Sequence, residues 1–384
     1  MWLNLLRLWT GPLPHEELFP DRKINPVLHW LIHPAKRRLA KYYVWILQHF
    51  FGLKVIAITG SSGKTTTSNM LYSVLSGVGP TVKTADSVTS TYNIPTSILK
   101  CTFSTRFLVL EMGVEYIGDM DFYCWLVRPD IGTVLNISPV HAHYLGTIEN
   151  IRAEKSKLLS YSRFGLKPED FPSVISSVLT PDLKTEIKML MEHKSYLINL
   201  QLLGLHFSQN AAAVAAVAGH LNIAPGEIVS GLESVTPPPH RMQIIPLNSD
   251  RFLIDDTYNA NPLSVTAAIN TLSQITLTSR QQPVFVFGQM NELGKYEQSE
   301  HEKIGFLLKN LKLKIKNFEL FCIGPATKYT VKSAGFGHWF DRQDDLLYTL
   351  KKLLVHKPSF VILVKGSRTW HLENLLPGLS GSFS

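Results

Sequence analysis

The feature that most constrains the fold of this 384-residue chain is a short apolar run that ends in a glycine-rich turn and continues as a helical pattern. The run is Val55–Thr59, the turn is Gly60–Gly63, and the helical pattern covers Thr65–Leu75. A strand that turns through glycines into a helix places backbone N–H groups and the positive end of a helix around a polyphosphate. The complete pattern for such a loop needs glycine at position 58, where Ile58 stands, so the match is to a shorter form.

In this setting Lys64 is expected to reach the terminal phosphates and Thr65 to hold Mg²⁺. A chance Gly/Ser turn is the alternative, and the strand before it and the helix after it argue against that. The residues predicted to contact the polyphosphate are Gly60, Ser61, Ser62, Gly63, Lys64, Thr65 and Thr66.

Further buried-strand patterns alternate with helical stretches along the chain, which is typical of a parallel α/β sheet. Pro237-Pro238-Pro239 divides this pattern, because three prolines cannot continue a helix or a central strand. The sequence predicts an atypical basic and aromatic segment over residues 1–53, a central phosphate-loop domain over 54–236 and a second α/β domain over 240–384. The other predicted elements are strands at Phe107–Leu110, Ile131–Ile137, Phe252–Ile254, Val284–Phe287, Leu320–Ile323 and Phe360–Val364, and a helix at Ala211–His220.

The charge and the cysteine content narrow the class of protein. The net charge is +8, and residues 1–54 contribute +5 of it, so the basic balance lies outside the predicted α/β core and does not indicate nucleic acid as a partner. The three cysteines form no CxxC pair, which argues against a zinc site or a disulfide framework and fits the reducing cytosol. We therefore expect a cytoplasmic protein.

The N-terminal segment combines basic and aromatic residues. Lys36-Arg37-Arg38 and Lys41 precede the apolar run Tyr42–Leu53, which is only 12 residues long and too short to span a bilayer. We expect no signal peptide, because no apolar core is followed by a small-residue cleavage site. Two interpretations stay open: the segment docks on the cytoplasmic membrane or a partner protein, or it packs as a helix on the phosphate-loop domain with its aromatic residues buried.

The segment Thr59–Thr67 resembles the phosphate loop of the Mur ligase family, which also includes folylpolyglutamate synthetases. Further matches follow in the family's order, and the resemblance covers residues 54–376. The matching segments are Glu111-Met112-Gly113, Asn136–His141, Ala153-Glu154-Lys155, His206–Asn210, Pro239-His240-Arg241, Asp255–Pro262, Gly288–Gly294 and Val364–Arg368. The family's fold is a P-loop central domain with a parallel-rich sheet, plus a Rossmann-like C-terminal α/β domain, with ATP between them.

The resemblance implies an ATP-dependent ligase that activates a carboxylate as an acyl-phosphate and joins it to an amine, releasing ADP and phosphate. The implied catalytic residues are Lys64, Glu111, His141 and Lys155. The implied ligands of two Mg²⁺ ions are Thr65, Glu111, His141 and a carbamylated Lys155. The implied nucleotide contacts beyond the loop are Asn210 to adenine, Arg241 to the γ-phosphate and Asp256 to the ribose. The implied substrate contacts are Asn259, Asn261, Lys365, Ser367 and Arg368.

Within the family, the last three motifs resemble those of members that add D-alanyl-D-alanine to a UDP-N-acetylmuramoyl-tripeptide in peptidoglycan synthesis. Three departures bear on the substrate. About 53 residues precede the core where members usually carry a UDP-binding domain of about a hundred, the stretch from Lys155 to Asn210 is short, and Gln289 stands where an aspartate is typical. A ligase acting on a folate-type or other cell-wall precursor, and a non-catalytic ATP-binding partner, therefore stay open. Two assignments also stay open: His143 could be the metal ligand in place of His141, and Lys157 could be the carbamylated lysine in place of Lys155.

Overall fold

The structure is a computed structural model that describes residues 2–383, apart from residues 21–23, 86–88, 249, 280 and 356. The chain divides into two compact units. The first runs up to Ile175 and includes Lys188–Ile198 and Gln209–Val235. The second comprises Ser176–Ile187, Asn199–Ser208 and the residues from Thr236 onward.

The N-terminal segment of the first unit is helical. Its helices are α1 (Trp2–Thr10), α2 (His15–Leu18) and α3 (His33–Phe50), with a π-helical turn at Leu28–Ile32 leading into α3. One face of α3 is buried, through Pro34, Arg37, Ala40, Val44 and Leu47. The packing interpretation is therefore right that one face of the helix is buried, but wrong about its residues. The buried face holds Arg37 and no aromatic side chain, while Tyr42, Trp45 and Phe50 are exposed.

Five parallel strands form the sheet of the first unit, in the order β2-β3-β1-β4-β5. They are β1 (Lys54–Thr59), β2 (Thr81–Lys83), β3 (Phe107–Glu111), β4 (Ile131–Val134) and β5 (Phe164–Leu166). The central strands are buried on both faces, which explains their uninterrupted apolar sequence. Ile58 pairs with Glu111 and Thr59 with Val134, so the loops after β1, β3 and β4 leave the same edge of the sheet.

Helices flank this sheet. They are α4 (Lys64–Val78), α5 (Ser90–Ile98), α6 (Asp119–Leu126), α7 (Ala142–Leu145), α8 (Ile148–Tyr161), α9 (Phe207–His220) and α10 (Pro225–Glu233). The predicted helices over Thr65–Leu75 and Ala211–His220 are confirmed within longer ones. In contrast, the predicted strand Ile131–Ile137 is too long: β4 ends at Val134, because Asn136 turns toward the glycine-rich loop and forms hydrogen bonds there.

The second unit contains a six-stranded sheet in the order β13-β12-β11-β14-β10-β9. Its strands are β9 (Gln243–Asn248), β10 (Arg251–Asp256), β11 (Gln282–Gly288), β12 (Glu319–Ile323), β13 (His338–Phe340) and β14 (Phe360–Lys365). All neighbours are parallel except β9 and β10. The four strands predicted after the prolines are confirmed, each extended by one to three residues.

The helices of the second unit are α11 (Pro262–Ser279), α12 (Glu297–Lys314), α13 (Thr327–Ala334), α14 (Gln343–Leu354) and α15 (Leu375–Phe383). One apolar core cluster combines residues of α14 and α15 with one face of the sheet, including Leu350, Leu379 and Ile362. A separate sheet of three strands, β6 (Val174–Leu179), β7 (Thr185–Met191) and β8 (Lys194–Leu200), was not predicted from the sequence. Among the described residues, no helix has the length and apolarity needed to cross a membrane.

Candidate active site

The glycine-rich loop joins β1 to α4 at the edge of the sheet where the strands end. Gly63 caps α4 in the left-handed conformation, with φ of +83°, which favours glycine. A Cβ at this position would also lie 2.5 Å from Nδ2 of Asn210. A larger residue at position 63 would therefore distort the turn that leads into α4. The first N–H groups of a helix have no partner within the helix, and they bind anions.

Asn136, from the loop after β4, fixes the shape of the glycine-rich loop. Its Oδ1 accepts a hydrogen bond from the Ser62 N–H at 2.8 Å, and its Nδ2 donates to the Ser62 carbonyl at 3.0 Å. Its own carbonyl accepts from the Ser61 N–H at 2.9 Å. Ser138 adds a fourth link, because its N–H donates to Ser61 Oγ at 2.9 Å. Asn136 lies in a motif noted in the sequence but was not predicted as a site residue.

Thr65 and Glu111 are brought together by the sheet. The Thr65 hydroxyl donates to the Glu111 carboxylate, 2.9 Å from Oε2 and 3.2 Å from Oε1. A hydroxyl and a carboxylate supply the hard oxygen atoms that Mg²⁺ prefers, and Mg²⁺ usually completes its shell with phosphate and water. The described residues contain no group of three or more His, Cys, Asp or Glu side chains arranged for a metal ion. The pair therefore offers two oxygen ligands of the kind that Mg²⁺ uses beside phosphate and water.

Two lysines converge on the loop. Lys64 Nζ donates to the Gly60 carbonyl at 3.0 Å, and Lys155 Nζ donates to the same oxygen at 3.2 Å. Lys155 is fully buried, and burial lowers the pKa of its ammonium to about 7, with the positive charge of Lys64 adding to this shift. Lys157 points elsewhere and forms ion pairs of 2.6 Å with Asp121 and Glu154. Of the two lysines between which the sequence left the register open, Lys155 is therefore the one that contacts the loop.

The two histidines after β4 occupy different settings. His141 precedes α7 in a left-handed conformation with φ of +58°, three residues after Ser138. His143 is exposed, and its ring lies edge-on to Tyr144 with 5.0 Å between centroids. A metal-binding role for His141 stays a prediction.

Asn210, on α9, holds the start of α4. Its Nδ2 donates to the Gly63 carbonyl at 3.0 Å and to Thr67 Oγ1 at 2.9 Å. These bonds give Asn210 a role in shaping the glycine-rich loop, and the adenine contact implied by the family resemblance stays a prediction.

In the second unit, the predicted residues cluster where β10 and β14 end side by side. Lys365 Nζ lies 2.6 Å from Asp256 Oδ2 and 2.9 Å from the Asn259 carbonyl, and both charged side chains are largely buried. Burial raises the pKa of the Asp256 carboxyl, while Lys365 opposes this. Three of the seven predicted substrate or nucleotide contacts of the second unit, Asp256, Asn259 and Lys365, thus meet in one place.

The remaining predicted residues of the second unit have distinct contacts. The Arg241 guanidinium lies 3.9 Å from the centroid of the Tyr258 ring. Asn261 Oδ1 accepts from the Ser264 N–H at 2.9 Å at the start of α11. Ser367 Oγ accepts a hydrogen bond from the Asn291 N–H at 2.9 Å, and Arg368 forms an ion pair of 2.9 Å with Glu373.

Comparison with known proteins places this geometry in a family. Models of the Mur ligase middle domain and of the Mur ligase glutamate ligase domain match residues 58–167 and 240–368. The chain is 32% identical over 398 residues to the UDP-N-acetylmuramoyl-tripeptide--D-alanyl-D-alanine ligase of Buchnera aphidicola subsp. Baizongia pistaciae, covering 96% of this chain and 83% of that protein. The chain belongs to the Mur ligase family.

This Mur ligase is also 26% identical to the Escherichia coli K12 enzyme of the same name, over 91% of this chain and 81% of that protein. Among solved structures, it is similar to a crystal structure of MurF from Acinetobacter baumannii, with a TM-score of 0.82 and 28% identity. That match covers 91% of this chain and 80% of the other. The fold class predicted from the sequence is therefore confirmed.

Proposed function

We propose that this Mur ligase joins D-alanyl-D-alanine to a UDP-N-acetylmuramoyl-tripeptide, with conversion of ATP to ADP and phosphate. The observation that carries the proposal is the glycine-rich loop whose Gly60 carbonyl binds both Lys64 and Lys155 beside the Thr65–Glu111 pair. The two ligases that it resembles in sequence carry this activity in their names. ATP and a UDP-linked substrate are cytoplasmic metabolites, so the proposal also assigns the enzyme to the cytoplasm.

The reaction proceeds in two steps that balance without a further reactant. A carboxylate oxygen of the tripeptide attacks the γ-phosphorus of ATP, forming an acyl-phosphate and releasing ADP. The amine of D-alanyl-D-alanine then attacks the acyl carbon, forming the amide, and phosphate leaves as the amine gives up a proton. Lys64 and the N–H groups at the start of α4 bind the phosphates and stabilise the charge that develops on them.

Mg²⁺ bound with ATP would neutralise phosphate charge, and Thr65 and Glu111 are the residues that would hold it. Lys155 as an ammonium is a poor metal ligand. Its low pKa, caused mainly by burial, makes the neutral amine available near pH 7, and a neutral amine adds to CO₂ to give a carbamate and a proton. We propose that Lys155 is carbamylated in the active enzyme and, with His141, serves a second Mg²⁺ ion.

The other contacts follow from the chemistry of each side chain. Arg241 presents a planar donor fork suited to the γ-phosphate, Asp256 accepts hydrogen bonds from ribose hydroxyls, and Asn210 offers its amide to adenine. The proposed contacts to the peptide substrates are Asn259, Asn261, Lys365, Ser367 and Arg368.

The test is incubation of the full chain with ATP, Mg²⁺, UDP-N-acetylmuramoyl-tripeptide and D-alanyl-D-alanine, followed by mass measurement of the product. We expect the mass of the pentapeptide product and one ADP per product. Parallel reactions with a diamino acid or glutamate as the amine, and with a folate as the carboxylate, identify another ligase of the family if one of them is preferred. ATP binding without ADP release under every combination would instead indicate a non-catalytic protein.

A further inference from the structure

Helix α3 has two opposite faces of different character. The residues at positions 34, 37, 40, 44 and 47 are buried, and they repeat at the three- and four-residue spacing of one helix face. The opposite face repeats with the same spacing and is exposed, yet it is also apolar. Its exposed side chains are Leu39, Tyr42, Trp45, Ile46 and Phe50.

The buried face of α3 packs against other elements of the first unit. The Arg37 guanidinium lies between the rings of Tyr92 and Phe122, at 5.7 and 5.3 Å from their centroids. The Tyr43 hydroxyl donates to the Cys101 carbonyl at 2.7 Å. Because α3 is anchored in this way, its exposed face is held in place rather than being a frayed end.

Helix α1 and the π-helical turn extend the exposed apolar face. The side chains that they add are Trp2, Leu5, Leu8, Trp9, Leu28, Leu31 and Ile32. Trp9 Nε1 donates to the Trp30 carbonyl at 2.6 Å, which ties α1 to this turn. We call these residues, together with the five of α3, the N-terminal apolar surface. Sixteen of the 33 exposed large hydrophobic side chains in the described part of the chain lie within residues 2–51, so this concentration is not the ordinary scatter of a protein surface.

Basic side chains border this surface. Lys36 lies along one edge of the exposed face of α3, and Arg38 and Lys41 lie along the other. Arg38 also reaches α1, since its Nε donates to the Trp9 carbonyl at 3.2 Å. Helices α1 and α3 contain no acidic residue.

We propose that the N-terminal apolar surface docks this enzyme on an anionic lipid bilayer, with α3 lying in the interface. Charge complementarity favours lipid, because cations at the border of an apolar helix face meet anionic headgroups while the apolar side chains enter the acyl region. Tryptophan and tyrosine are the side chains that suit this boundary. The largest apolar side chains of this surface project outward, as Trp2 at 79% and Leu8 at 71% exposure illustrate, and a fluid bilayer accommodates such shapes. The inference does not depend on the proposed ligase activity.

The test is co-sedimentation of the full chain with vesicles of phosphatidylcholine alone and of phosphatidylcholine with about 30 mol% phosphatidylglycerol. We expect binding to the anionic vesicles, and at least about a tenfold weaker partition to the neutral ones. Binding should also weaken in roughly 0.5 M NaCl, because the Debye length there is only about 4 Å and the attraction between the basic side chains and the headgroups is screened.

Composition-matched triple variants locate the surface. Leu39→Ser/Tyr42→Ser/Phe50→Ser removes three side chains of the N-terminal apolar surface, and Leu313→Ser/Tyr348→Ser/Phe306→Ser removes the same residue types from helices of the second unit. All six side chains are between 55% and 77% exposed, so neither variant opens the core. The first variant should lose at least about nine-tenths of the bound fraction, and the second should bind like the unmodified protein.

Three outcomes overturn the proposal. They are absence of binding to anionic vesicles, equal loss in both variants, and equal binding to neutral vesicles. A dimer in solution that the first variant converts to a monomer, without vesicle binding, would assign the surface to a second copy of the chain instead. Thermal unfolding of both variants verifies that each is folded, and single Leu39→Ser and Tyr42→Ser variants replace the triple variant if it is not.

Discussion

Lys64 and Lys155 donate hydrogen bonds to one and the same atom, the backbone oxygen of Gly60, over 3.0 and 3.2 Å. Two ammonium groups that share one acceptor repel each other, and the charge of Lys64 is the second cause of the low pKa of Lys155. An anion that binds between them relieves this repulsion. The shared acceptor links the phosphate-binding loop to helix α8, which carries Lys155. The role of each lysine can be tested by replacing it alone.

Replacing Lys64 by alanine should reduce ATP turnover by at least about a hundredfold, because the loop loses the charged donor that stabilises the transferring phosphate. The fold should persist, since the loop is held by Asn136 and Asn210. ADP release under saturating substrates measures the effect. Lys157→Ala is the matched control, because this lysine pairs with Asp121 and Glu154 away from the loop and should keep most of the activity.

Activity should depend on CO₂ if Lys155 is carbamylated. Removing CO₂ and bicarbonate from the buffer should lower turnover, and restoring bicarbonate should recover it. Lys155→Ala should be nearly inactive and partly rescued by acetate or formate, which refill the position of the carbamate oxygens. A carbamate resonance from ¹³C-labelled bicarbonate that disappears in Lys155→Ala identifies the residue. The prediction is wrong if Lys157→Ala, rather than Lys155→Ala, shows the loss and the rescue.

Replacing one partner of the Asp256–Lys365 ion pair should lower the free energy of unfolding far more than the loss of the pair itself would. Its side chains are buried, so Asp256→Asn or Lys365→Met alone leaves an uncompensated charge or donor and should destabilise the protein by about 3–5 kcal/mol. The double variant should cost less than the sum of the two. Urea unfolding of the four proteins measures this coupling. The exposed pair of Arg342 and Asp344 provides the control, and Arg342→Met should leave the unfolding curve unchanged.

The sequence predicts the two main sheets well because their central strands are buried on both faces. Such strands are continuous apolar runs, as in Phe360–Val364, and they are visible without knowledge of their neighbours. The strands of the small sheet are different. In β7, Thr185, Ile187, Met189 and Met191 are buried while the residues between them face outward, so no apolar run marks the strand. A search for period-two alternation would have found it.

Some residues of the candidate site could likewise be predicted from the sequence, and others could not. Lys64, Thr65 and Glu111 follow from a local motif and from the end of a strand. The roles of Asn136 and Glu154 do not, because their partners are distant in sequence. Asn136 binds Ser62, 74 residues away. Glu154 Oε1 accepts from the N–H groups of Gly118 and Met120 at the start of α6. Such contacts depend on which loops the sheet order brings together, and that order is a property of the folded chain.

Asp119, at the start of α6, should make the stability of the protein fall as the pH rises. Burial raises the pKa of its carboxyl to about 7, although the N–H groups of Glu115 and Tyr116 donate to Oδ2 and oppose the shift. Because the folded state holds the proton more tightly than the unfolded state, whose aspartate titrates near pH 4, the free energy of unfolding falls between about pH 4 and pH 7. The full effect is at most roughly 4 kcal/mol, at about 1.4 kcal/mol for each unit of pKa.

Asp119→Asn keeps an acceptor for both N–H groups and carries no charge. Relative to the unmodified protein, the variant should therefore gain roughly 2–3 kcal/mol in free energy of unfolding as the pH rises from 5 to 8. Urea unfolding of both proteins at these two pH values tests this, and parallel pH profiles would contradict it.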